Sequence, residues 1–364
     1  MTAQTSAELF PVGEHLGDEL EARGWTQAEF AEILGRPSQF VSEIIAGRKE
    51  ITRESASQIA AALGTSAEFW LKLQDSYLLW KQSQDQRTQR SLAEVKARAR
   101  LAKLVPLSLL MKRGYVRSAD IEGQTEEVLD LLGMTSFDDV PQIAFAARRS
   151  NVEENISAVQ RAWVACVKKA ALDQGSAEYD KEAFEELVQG LAHKARNPEA
   201  IAEFAELFAR TGVKLVYVEA FPRGKLDGCA MLVDGNPVIG ISGRGKRLDK
   251  VLFTILHEAA HVLLEHLGSD GEAIVDDLSD SSAGFEGDAD RRAAELAIHA
   301  PLPLPPARPT LPWVQAHAEK LGVHPIVLIG RLQKEELLSW NTTLVRGAPS
   351  VTGQLERWAS AESA

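Results

Sequence analysis

The chain has 364 residues, 45% of them hydrophobic and 25% charged, with a formal net charge of −12. These proportions belong to a globular protein of two or three domains, one domain usually taking about 100–200 residues. No run approaches the ~20 apolar residues that cross a bilayer, and residues 1–10 lack the basic start and apolar core of a signal peptide, so no membrane partner and a cytoplasmic location are expected. An acidic chain cannot coat nucleic acid by bulk charge, and any DNA contact must come from a local basic cluster. Cys166 and Cys229, 63 positions apart, make neither a disulfide framework nor a thiolate zinc site and are expected as buried thiols.

Residues 12–80 predict five short helices. The second opens at Thr26 with Glu29 three positions on, a capping box, and stops at Gly35. The third runs from about Pro37 to Ala46, turning Phe40, Val41, Ile44 and Ile45 inward, with Gly47 as its stop. The fourth follows Thr52 with Ala56, Ile59, Ala60 and Leu63 on one face; the fifth follows Ser66 with Phe69, Trp70 and Leu73. Residues 1–80 carry six Lys/Arg against twelve Asp/Glu, whereas 81–104 carry seven against two, and this reversal places the end of the first domain at residue 80.

Residues 81–199 read as a helical linker or middle region, with helices over 152–172 and 181–193. Alternation over 214–220, 229–233 and 237–242, with a hairpin turn at Asp234-Gly235-Asn236, predicts a small antiparallel sheet at the start of a domain spanning 200–346. An apolar helix carrying His257-Glu258-Ala259-Ala260-His261 follows it. Pro-rich 301–312 leads to helices around 313–340, and 347–364 is expected as a flexible tail. The fold class is therefore α+β, mainly α with a small sheet.

Residues four apart on a helix lie about 40° apart around its axis, so His257 and His261 share a face and can share a cation. Glu258 lies about 100° round, placed to take a proton from water activated by that cation without ligating it. Zinc is the expected metal, with manganese an alternative. A third ligand is needed. Glu286, 25 positions beyond His261 at the start of a second helix, is favoured; Asp288 and His299 are the alternatives. Asp290, one turn after Glu286, is placed to accept the free N–H of a ligating histidine. His266 is expected at the surface or as a cap, because nine positions from His257 it falls on the opposite face while the helix continues. His317, His324 and Arg331 are candidates for stabilising an oxyanion.

Pro37 to Glu43 has the short polar side chains of a recognition helix. Gln39 can bond adenine, Ser38 and Ser42 can reach bases or phosphates, Gln27 opens the bracing helix, and Arg48 and Lys49 lie just beyond for backbone contact.

Through Gly-Trp-Thr-Gln-Ala-Glu-Phe-Ala, Ile-Ile-Ala-Gly-Arg-Lys-Glu-Ile-Thr and the segment ending at Gln74, residues 12–80 resemble the Xre-type helix-turn-helix of HigA-like antitoxins. Residues from about 200 to 340 resemble ImmA/IrrE metallopeptidases, of zincin-like fold, through Leu226-Asp227-Gly228, the 237–242 strand, the 253–264 helix and Glu286 to Asp290; Arg292 and His299 depart from the family pattern. The resemblance implies His257, His261 and Glu286 as metal ligands and Glu258 as catalytic base. It implies a DNA-binding regulator that cleaves a repressor, a toxin–antitoxin component or itself under stress control, binding an operator as a homodimer. The alternative expectation is a HigA-like antitoxin or repressor whose metal-bearing domain senses or dimerises without proteolysis.

Overall fold

A computed structural model describes residues 9–139, 144–145, 157–268, 272–276 and 284–360. The chain divides into two compact units, Met1–Ala97 and Arg98–Ala364.

The first unit contains α1 (Val12–Ala22), α2 (Gln27–Leu34), α3 (Ser38–Ile45), α4 (Arg53–Leu63) and α5 (Ala67–Gln84). Local chemistry sets these helices. Thr26 and Glu29 cap α2 reciprocally, Thr52 and Ser55 do the same for α4, and Ser66 caps α5. Leu16, Phe30, Val41, Ile44, Ile59 and Trp70 form the core, each worth about 1.5–3 kcal/mol on burial. Phe40 and Ile45, expected inward, are only half-buried, and Phe69 is exposed. Gln74 ties α5 down, its amide exchanging two hydrogen bonds with the backbone of Ile51 (2.6 and 3.1 Å). The boundary expected at residue 80 falls inside α5, and the division between units lies within α6 (Gln86–Leu104).

The second unit continues with α7 (Leu107–Lys112), α8 (Ile121–Leu131), β1 (Ala144–Phe145), α9 (Ala158–Asp173), α10 (Lys181–Lys194), α11 (Phe204–Arg210), β2 (Lys214–Tyr217), β3 (Gly228–Val233) and β4 (Asn236–Ile241). Then come α12 (Leu248–Leu263), β5 (Glu272–Asp276), α13 (Phe285–Ala297), α14 (Leu311–Leu321), α15 (Pro325–Lys334) and α16 (Thr352–Ser360). The α+β class expected from the sequence is the one observed.

The sheet, in the order β1-β5-β3-β4-β2, is mixed rather than antiparallel: β2 runs parallel to β4 and β1 parallel to β5, while β3 is antiparallel to both its neighbours. Alternation reports which residues share a face, not the direction of the neighbouring strand. Both faces are covered. Leu215, Ile239 and Ile241 pack with α10, α12, α13 and α15, while Val216, Cys229, Met231 and Val238 pack with α9.

The region expected as a linker thus supplies structural layers, α9 on one face and α10 in the core of the other. Of the helix expected over 152–172, residues 152–156 lie outside the described residues, and Ser157 caps the remainder. The expected flexible tail is also corrected, since within 347–364 the segment Thr352–Ser360 is helical. Val351, Leu355 and Trp358 are buried in the core around α12, and the Trp358 indole donates to the Ile201 carbonyl (2.9 Å).

Candidate functional site

Helix α12 is buried on nearly every side, so its two histidines and Glu258 are held away from water by the surrounding core. Helix α13 packs against it and brings Glu286 to the same point. His257 Nε2 lies 3.1 Å from His261 Nε2, and Glu286 Oε2 lies 3.3 Å and 3.5 Å from the two nitrogens. One ligand atom from each of these three residues fits within a 4.8 Å cluster. The alternatives for the third ligand stand elsewhere: Asp288 pairs with Arg291 (3.1 Å), and His299 is exposed.

The outer partners fix how the rings point. His257 Nδ1–H donates to Asp290 Oδ1 (3.0 Å), and Lys334 Nζ donates to the other Asp290 oxygen (2.9 Å). His261 Nδ1 meets His266 Nδ1 at 3.0 Å. Assigning each of the two histidines its proton on Nδ1 leaves two Nε2 lone pairs and a carboxylate oxygen facing one another, an arrangement suited to a cation. Electrostatics agree. Burial would raise the Glu286 pKa, yet the His257 and His261 imidazoles facing its carboxylate outweigh it and hold the group well below the usual carboxylate range. Burial likewise opposes ionisation of Asp290, but His257 and Lys334 keep its pKa low. The His261 pKa is lowered, burial outweighing Glu286. Ionised Glu286 and neutral His261 form the protonation state a divalent metal binds. The donor set of two imidazoles and one carboxylate fits zinc.

His266 is where the structure overturns expectation. It is buried, with its ring edge-on to Phe285 at 4.5 Å. Helix α12 does not continue as assumed: it closes after Leu263 in a Schellman motif, Glu265 N–H bonding Val262 O and His266 N–H bonding His261 O. Glu265 takes the left-handed position at φ 57°, which turns His266 back beneath His261. The usual sequence signal, glycine at that position, is missing.

Glu258 is fully buried, against β3. A Cβ on Gly228 would stand 2.4 Å from Glu258 Oε1, so the strand passes the carboxylate only because residue 228 has no side chain. Burial, and then the Glu258 charge, push the neighbouring Cys229 thiol well above its ordinary pKa, keeping it from acting as a thiolate ligand. Of the oxyanion candidates, His317 bonds the Trp313 carbonyl (2.8 Å) and His324 accepts from Ile326 N–H to cap α15 (3.2 Å). Both are structural, whereas Arg331 lines a cavity beside the cluster.

In the first unit, Ser38, Gln39 and Ser42 lie on α3, with Ser38 and Gln39 exposed; Gln27 is exposed at the start of α2, and Arg48 and Lys49 in the turn after α3. Sequence reasoning missed Glu43. Its carboxylate accepts from Gln39 Nε2 (2.8 Å) and pairs with Lys49 Nζ (3.5 Å), engaging two residues assigned to DNA. The Gln39/Glu43 spacing of one helical turn was the available signal.

The family model described as helix-turn-helix matches residues 16–70. An HTH-type transcriptional regulator of Haemophilus influenzae is 38% identical over 86 residues, 23% of this chain and 80% of that protein. The chain belongs to the helix-turn-helix transcriptional regulators. Antitoxin HigA-1 of Vibrio cholerae is 43% identical over 78 residues, 21% of this chain and 73% of its own, and the HTH-type regulator YbaQ of Escherichia coli is 34% identical over 67 residues, 18% and 59% of the two chains. Among the described residues, no helix of this regulator is long and apolar enough to cross a membrane.

On α3, the helix expected to read DNA, the Glu43 carboxylate would work against phosphate. Glu43→Gln is expected to tighten binding to the cognate operator severalfold, freeing Lys49 and steepening the salt dependence by about one ion. Unchanged or weakened binding in a salt titration would show that Glu43 positions Gln39 rather than restraining Lys49.

Proposed function

We propose that this regulator carries a zinc-dependent endopeptidase in its second unit and cuts a regulatory protein, a toxin–antitoxin component or its own chain. The observation that carries the reading is the convergence of His257 Nε2, His261 Nε2 and Glu286 Oε2, backed by Asp290 and His266, beside a carboxylate outside that cluster. His257, His261 and Glu286 would hold the metal. Zinc so bound supplies Lewis acidity, polarising a peptide carbonyl and lowering the pKa of water. Glu258 accepts the proton of the attacking water and returns it to the leaving amine. Asp290 and His266 hold the two imidazoles in the tautomer that turns Nε2 inward, and Lys334 holds Asp290.

The test is direct. Purified chain, with zinc or with chelator, is incubated alone and with a purified repressor protein from the same cell, and the products are read by mass spectrometry. Zinc-dependent fragments of either protein are expected; intact chains throughout would reject the peptidase. Asp290→Ala should weaken zinc binding about 10–100-fold in equilibrium dialysis while leaving the unit folded, and undiminished affinity would show that Asp290 does not orient His257.

The similarity of the first unit to an antitoxin favours a second reading, in which the chain is a repressor or antitoxin acting as a homodimer on paired half-sites and its metal-bearing unit senses or dimerises without proteolysis. Under it a Glu258→Gln chain represses normally.

A further inference from the structure

One turn before the histidines along α12 lies a cavity of about 720 Å³. It adjoins the metal cluster through three of its lining residues. The Phe253 ring centroid is 6.2 Å from that of His257, Thr254 packs with Glu258 over Gly228, and Lys334 holds Asp290.

The lining is cationic although the chain is acidic. Its two carboxylates are engaged, Asp249 by both nitrogens of an Arg247 fork and Asp227 by Arg244. Cationic capacity is left over on two opposed helices. On α15, Arg331 Nη1 bonds Glu335, but its Nε–H is buried and meets no acceptor among the described residues. On α12, Lys250 forms no ion pair among the described residues. Lys250 leaves a positive charge on the lining without a counter-charge among the described residues, and an anion seated between α12 and α15 supplies one. Trp340, 66% exposed, adds an aromatic surface on the same lining.

The geometry points to this cavity as the subsite that receives an acidic side chain of the protein substrate, next to the peptide bond presented to Glu258. This inference rests on the peptidase reading.

Blocked octapeptide pools, random except for one fixed Glu, Gln or Lys, are passed over the immobilised full-length Glu258→Gln chain and quantified by mass spectrometry. The Glu pool should be retained about tenfold over the Gln pool. Lys250→Ala should erase the preference, and Lys250→Glu should reverse it toward Lys. Lys320→Glu, on the exposed face of α14, should leave it unchanged. Equal retention of the Glu and Gln pools, or an equal response to the Lys250 and Lys320 changes, overturns the subsite. Cleavage by zinc-loaded wild-type chain without a Glu preference removes the subsite alone. Glu-selective retention, where the zinc-loaded wild-type chain cleaves none of the pools, removes the peptidase reading, and with it the substrate role.

Discussion

In the proposed peptidase, Glu258→Gln is expected to abolish peptide hydrolysis, lowering its rate by about 10²–10⁴-fold, while zinc stays bound. Glutamine has the shape of glutamate and fits the same slot against Gly228, so the packing of α12 on β3 is kept; what disappears is the ability to take a proton. The cluster that could hold the metal consists of His257, His261 and Glu286, and Glu258 is not part of it. Metal content and cleavage therefore separate. His257→Ala is the complementary case, losing both together. Stoichiometric zinc by elemental analysis with cleavage reduced to background is the expected pair of results; a Glu258→Gln chain cutting at the wild-type rate would remove Glu258 from the mechanism.

Gly13→Ala and Gly17→Ala, one turn apart on α1, are expected to change stability in opposite directions. Alanine is favoured over glycine in a helix by about 1 kcal/mol, and at Gly17 nothing lies within 4 Å of the added Cβ, so that substitution should stabilise. At Gly13 the new atom would stand 2.3 Å from the Ile44 carbonyl oxygen and 2.6 Å from that of Ile45. Both are backbone atoms at the end of α3 and cannot rotate away, so α1 and α3 must part. Overpacking of this kind costs about 1–3 kcal/mol, and contact with backbone puts Gly13 at the upper end, enough to outweigh propensity. For a unit of this size each 1 kcal/mol moves Tm by about 4–8 °C, so the first unit's melting transition should fall visibly. Operator affinity should fall with it, because α3 carries Ser38, Gln39 and Ser42. A Gly13→Ala chain as stable as Gly17→Ala would mean that α1 is free to shift.

Helix α12 and its histidine pair were legible for a local reason. Its apolar surroundings and four-residue histidine spacing both act within about one turn, as do the caps at Thr26, Thr52 and Ser66 that mark the first unit's helices. Glu286 and Asp290 could be proposed because they share a turn of one helix, but their approach to α12 depends on how α13 packs.

By itself, then, the sequence determined the helix-turn-helix elements, the α+β class and the face of α12 shared by His257 and His261, since periodicity and capping are written in neighbouring residues. Tertiary structure alone decided the rest. Parallel pairing of β2 with β4, Lys334 behind Asp290 at a separation of 44 residues, and the docking of α16 are contacts between segments far apart in sequence. His266 belongs with them, because its return beneath His261 depends on a left-handed Glu265, a conformation residue type disfavours and only its surroundings impose.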